Sequence, residues 1–180
     1  MKSFSVLFFI VFTIFSCKKE DSIQTFYVEH QERPDYSVVD ISSTLLDINE
    51  TNLTTTEKEA YQSLDKLHVL MYKATDSTQQ EYKKELKAIK RVFSSEKYPE
   101  LAVFNDSGIQ FKIHSTAALE NKDATVDELL VLGSADTMGF MVIRVLGDDL
   151  TIEKLATLIT LLQKNGAENK ALQGIMNFLK

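Results

Sequence analysis

Few residues of this chain could do chemistry, and their spacing limits what that chemistry would be. Cys17 is the only cysteine in 180 residues, so intramolecular disulfides and cysteine-cluster metal sites are excluded. Three histidines, His30, His68 and His114, stand far apart, with no HxH or HxxxH pair to grip zinc. His68 reads as a strand residue packed at a sheet, and His114 as a solvent-facing neighbour of Lys112. Asp148-Asp149 could hold a cation, but acidic residues are also expected where a loop meets a helix N-terminus. The six glycines are scattered as turn residues, with no phosphate-cradling loop and no GxSxG elbow. No catalytic constellation, metal ligand set or cofactor motif emerges.

The surroundings of Cys17 are more specific. One positive charge, Lys2, opens the chain, and residues 6–15 form an apolar run interrupted only by Thr13. A membrane-crossing helix needs roughly 20 apolar residues; this run fits a signal-peptide core of about 7–15. Ser16, a small residue, directly precedes the cysteine. The arrangement resembles the lipobox of bacterial lipoproteins. That resemblance implies cleavage between Ser16 and Cys17, a diacylglycerol on the Cys17 thiol and an acyl chain on its new amine. Two or more chains suffice for stable anchoring. The membrane, reached through lipid on Cys17, is therefore one expected partner. The following Lys19, Glu20 and Asp21 resemble the surface-export signal of Bacteroidota lipoproteins. The expectation is an outer-membrane lipoprotein displayed at the cell surface, with a periplasm-facing protein on a plain polar tether as the alternative. Asp21-Ser22-Ile23 resembles an O-glycosylation site of the same bacteria, with Ser22 as the acceptor.

Composition narrows the partners further. Lys plus Arg number 20 against 26 Asp plus Glu, a net charge of −6. Loss of residues 1–16 removes Lys2 and makes it −7. Such a chain lacks the basic footprint of a nucleic-acid binder, and an envelope protein is the expected macromolecular partner. Tryptophan is absent, which leaves Tyr and Phe as the only stacking rings.

The elements that must position these residues follow from periodicity. Residues 1–16 read as signal peptide, 17–35 as lipidated cysteine plus polar tether, and 36–180 as one α+β domain. Residues 36–41 read as a first strand, 57–64 as a helix capped through a Thr56–Glu59 box, and 67–72 as a second strand. Tyr82, Leu86, Ile89 and Phe93 form one apolar stripe on a helix over 79–94, for which Thr78 and Glu81 suggest a capping box. Lys83, Lys84, Lys87, Lys90 and Arg91 fill its other faces, a solvated surface with an anion patch as the alternative. Residues 101–104 and 109–113 form a hairpin, followed by strands over 126–133 and 140–146 that Gly147-Asp148-Asp149 should end. A helix over 151–163 places Ile152, Leu155, Ala156, Ile159 and Leu162 inward, and a last amphipathic segment spans 171–179. This order predicts an α+β fold, an antiparallel sheet with helices packed on one face.

With these elements placed, the chain resembles the domain-of-unknown-function 4252 family. The resemblance is carried by Val38-Val39-Asp40-Ile41-Ser42, Leu67-His68-Val69-Leu70, Tyr98-Pro99-Glu100-Leu101, Glu128-Leu129-Leu130-Val131-Leu132 and Leu146-Gly147-Asp148, over about residues 36–165. It implies a small envelope protein of Bacteroidota, often a lipoprotein, encoded near extracytoplasmic-function sigma factors. It supplies no functional residues. The expected function is a non-catalytic binding or sensory module; the alternatives are a structural lipoprotein and, less favoured, an enzyme acting on envelope material through Asp148 and Asp149.

Overall fold

The computed structural model describes residues 22–106, 108–117, 124–136, 138–165, 172, 173 and 175. Six strands form one open antiparallel sheet: β1 (Tyr36–Ser42), β2 (Leu64–Lys73), β3 (Glu100–Asp106), β4 (Ile109–Ser115), β5 (Val126–Ala135) and β6 (Gly139–Leu150). Their spatial order is β1-β2-β6-β5-β4-β3. The chain is α+β, as its pattern predicted.

Helices cover both faces of the sheet rather than one. The runs Leu129-Leu130-Val131-Leu132 and Phe140-Met141-Val142 contain no polar alternation, the mark of strands buried on both sides. Leu130, Leu132, Phe140 and Val142 face α1 (Ile23–His30) and α3 (Gln79–Phe93). Leu129, Val131, Met141 and Val145 face α2 (Thr55–Gln62) and α4 (Ile152–Asn165). Each of these side chains is 7 % exposed or less, and burying one contributes about 2 kcal/mol.

The first helix corrects the tether boundary. Ile23, Phe26, Tyr27 and His30 recur at helical spacing and all are buried. Ser22 caps this helix, its Oγ accepting from the Thr25 N–H at 3.1 Å. The packed domain therefore includes residues 22–35, upstream of residue 36.

Other caps also shift. Thr54, not Thr56, closes the capping box of α2: its N–H donates to Glu57 Oε2 at 2.8 Å and its Oγ1 accepts from the Glu57 N–H at 3.3 Å. Thr78 makes no capping bond to α3; its hydroxyl oxygen instead accepts from the Thr75 N–H at 2.9 Å in the preceding 3-10 turn. On α4 the fully buried residues are Leu155, Leu158 and Leu161, while Ala156 is exposed. The stripe is thus rotated from the one expected.

Gly147 does not end β6. A side-chain carbon there would lie 1.9 Å from the Ser63 carbonyl oxygen, so glycine permits β2 and β6 to close together. The strand runs on to Leu150 through Asp149 at φ +54°. Gly139 opens the same strand at φ +128°, where a side-chain carbon would lie 2.0 Å from the Tyr72 carbonyl oxygen. This tight entry seats Phe140 in an aromatic group, its ring stacked 5.6 Å from Tyr72 and 6.3 Å from Tyr82. The Tyr82 hydroxyl donates to the Ala135 carbonyl at 2.7 Å, fastening α3 to the sheet.

Candidate functional site

His114 is the side chain whose surroundings depart most from the expected pattern. It alternates with Ile113 on β4, which suggested solvent. The second helical layer covers that face, and His114 is only 4 % exposed. Its position follows from the turn after α3. Lys90 O accepts from both the N–H and the hydroxyl of Ser94, at 3.0 and 2.8 Å, and Tyr98 N–H donates to Ser95 O at 3.0 Å. This folds Tyr98 under the sheet edge, where its hydroxyl accepts from the Ile23 N–H at 3.1 Å. The Tyr98 carbonyl then meets His114 Nδ1 at 2.8 Å. A carbonyl only accepts, so Nδ1 carries the hydrogen and Nε2 of the neutral ring is an acceptor.

That Nε2 is buried and has no hydrogen-bond partner among the described residues. The Phe93 ring stands edge-on to the imidazole at 4.9 Å. Glu100 pairs with His114 across β3 and β4, and a register shift between Glu100 and Ala102 turns the two to one face. Glu100 Oε2 lies 3.8 Å from Nε2, too far for a hydrogen bond, and receives one from Lys112 Nζ at 2.6 Å. The Lys112 bond holds the Glu100 carboxyl below its ordinary range, against a small effect of burial. A buried polar atom left unpaired costs about 1–3 kcal/mol.

These groups border a cleft of about 450 Å³, with Phe93, Pro99 and Leu132 as apolar wall and Lys90, Ser95, Glu100 and Lys112 as polar groups. A cleft of this size with a few convergent polar groups is a small-molecule site in form. It presents acceptors at His114 and Glu100, a hydroxyl at Ser95 and two ammonium groups.

A second histidine on the same face shows the opposite arrangement. His30 Nδ1 lies 2.7 Å from Phe26 O, and its Nε2 lies 3.2 Å from Glu85 Oε2. Glu85, 5 % exposed, also accepts from the Tyr36 hydroxyl at 2.9 Å and from Arg33 Nη1 at 3.0 Å. Arg33 is steadied by Asp35, whose carboxylate it meets at 2.6 and 3.2 Å. Burial alone would raise the Glu85 carboxyl; the hydrogen bonds from Tyr36 and Arg33 overcome it and hold the group below its ordinary value. Burial and the Glu85 hydrogen bond push the Tyr36 hydroxyl up. Every polar atom here has a partner, so the cluster locks α1 to α3 and offers nothing to a ligand.

The remaining polar and apolar features are less convergent. His68, on β2, pairs through Nδ1 with Asp40 Oδ1 across the sheet. Arg144 Nε donates to Glu128 Oε1 at 2.5 Å and sits 5.5 Å over the Tyr27 ring. Beneath the other face lies an apolar hollow of about 180 Å³, bordered by Phe104, Phe111, Ile143, Leu158, Leu162 and Ile175.

Of the residues singled out in the sequence, Ser16, Cys17, Lys19, Glu20 and Asp21 lie outside the described residues. Ser22 belongs to a helix cap rather than to an open tether. Asp149 accepts from the Thr125 hydroxyl at 3.3 Å, and its carbonyl accepts from Lys154 Nζ at 2.9 Å. No group of three or more His, Cys, Asp or Glu residues suited to a metal ion occurs among the described residues. No described helix is long and apolar enough to cross a membrane. The sequence reading missed Arg33, Tyr36 and Glu85 as one network, and Lys90, Glu100, Lys112 and His114 as one cleft. The available signal was a run of buried-type strands, which leaves no solvent-facing side for His114.

Comparison with known families places the chain. The model described as "Domain of unknown function (DUF4252)" matches residues 26–158. Neither the curated proteins nor the solved structures give a match. The chain belongs to the DUF4252 family, and the matched region opens inside α1, in keeping with that helix being part of the domain.

Proposed function

With membership of that family as the premise, we propose that the chain is a lipid-anchored binding module of the cell envelope. Cys17 tethers it to the outer membrane, and the cleft over His114 receives its ligand. The observation that carries the binding reading is the buried Nε2 of His114, an acceptor with no partner beside a polar cleft. Native folds pair such atoms with protein or water. α3, the turn after it and the β3–β4 hairpin together leave this atom without a partner among the described residues, which suits a site completed by ligand. The leader and lipobox-like junction support the anchor.

Two measurements test the halves separately. Cys17→Ser should move the protein from the detergent phase to the aqueous phase; continued partitioning into detergent would refute the anchor. Native mass spectrometry of protein taken from membranes should show a small-molecule adduct on the wild type that His114→Phe lacks. Identical spectra for the two would remove the cleft from the proposal.

A further inference from the structure

The geometry points to a hydroxylated carboxylate, of the sugar-acid or hydroxy-acid class, as the ligand of the His114 cleft; this rests on the binding reading above. Three constraints lead there. First, the Nδ1–H bond to Tyr98 O leaves Nε2 as an acceptor, so the ligand must bring a donor to it. Second, that donor is not an ammonium group, because Lys90 and Lys112 both border the cleft and only Glu100 opposes them. A hydroxyl supplies the donor without adding positive charge. Third, the two ammonium groups against one carboxylate leave a surplus of one positive charge. Lys112 is already bonded to Glu100, whereas Lys90 Nζ makes no hydrogen bond or ion pair among the described residues and is exposed on α3. A ligand carboxylate beside Lys90 answers that surplus with a charge-assisted bond.

The walls agree with this chemistry. Phe93, Pro99 and Leu132 offer apolar surface to the C–H face of a carbon chain or ring, and the Ser95 hydroxyl offers a further donor. Glu100 guards the entry to Nε2. Its side chain is 42 % exposed, lies 3.8 Å from Nε2 and is bonded to Lys112, so a ligand hydroxyl that reaches Nε2 displaces it. A bare anion would meet the Nε2 acceptor lone pair to lone pair. The charged groups around His114 are Glu100 on β3, Lys112 on β4 and Lys90 on α3; Leu130 and Leu132 of β5, on the same face, are apolar.

The test titrates isotope-labelled full chain in detergent with gluconate, glucose and acetate, following the His114 ring nitrogens by NMR. Gluconate should shift Nε2 most. Lys90→Gln should weaken gluconate roughly ten- to hundredfold and leave glucose unchanged, while His114→Phe should abolish gluconate binding. Acetate matching gluconate would overturn the proposal in favour of a bare-anion site. Glucose matching gluconate would overturn it in favour of a neutral polyol. If no probe shifts Nε2, the ligand class is wrong; the binding reading then stands only if the adduct lost in His114→Phe is still seen.

Discussion

His30 and His114 are both buried on the same side of the sheet, each with Nδ1 on a main-chain carbonyl and each facing a glutamate. They differ in what completes them. Around His30, Glu85 is met by Arg33, Tyr36 and the imidazole, and the cluster is closed. Around His114, Glu100 stands off at 3.8 Å and leans to Lys112. The same fold thus satisfies one buried imidazole fully and leaves the other's Nε2 without a hydrogen-bond partner among the described residues, beside a cleft. The first arrangement serves cohesion; the second has the form of recognition.

The sharpest way to break this contrast is to remove each glutamate. Glu85→Ala leaves Arg33, Tyr36 and His30 without their common partner and should cost about 3–5 kcal/mol in urea unfolding. Glu100→Ala removes a half-exposed pair and should cost about 1 kcal/mol or less. Equal losses would erase the distinction between the two sites. Acid unfolding should separate them next. Because the Glu85 carboxyl is held below its unfolded-state value, its contribution is present above that value and is lost as pH falls through the folded one. Glu85→Gln should therefore flatten the stability curve below about pH 4, measured by melting temperature against pH. The smallest effect concerns the rings themselves. His114→Phe forfeits one bond to Tyr98 O but relieves an unpaired nitrogen, and should change stability by less than about 1 kcal/mol. His30→Phe, which also strips a partner from Glu85, should cost visibly more.

Much of the fold was legible because the chain states it locally. The alternation of Ile109, Phe111 and Ile113 gave a hairpin, and the stripe from Tyr82 to Phe93 gave α3 almost to the residue. α1 escaped because its apolar positions, Ile23, Phe26 and Tyr27, are diluted by Gln24, Thr25 and Glu29, and only packing on the sheet reveals them as one face. The single-face layering failed for a different reason. Hairpins fix an antiparallel sheet but are indifferent to what covers it; the unbroken runs of β5 and β6 carried that information. The cleft was beyond reach because Lys90, Glu100 and His114 converge through a turn whose closure depends on the Tyr98 backbone and on α1 beneath it.

The strand order carries a consequence for how the chain acquires its shape. β3, β4, β5 and β6 pair as sequence neighbours, while β2 must find β6 across the sheet, with Met71 set against Met141, 70 residues away. Closing that span costs more chain entropy than any hairpin, so the rate of folding should be governed by this one encounter. Until β6 exists, β1 and β2 form a two-stranded ribbon with no third strand to lean on, and such a ribbon is marginal in water. The amino-terminal half, α1 and the His30 cluster included, would then be the last to consolidate although it is the first to be made.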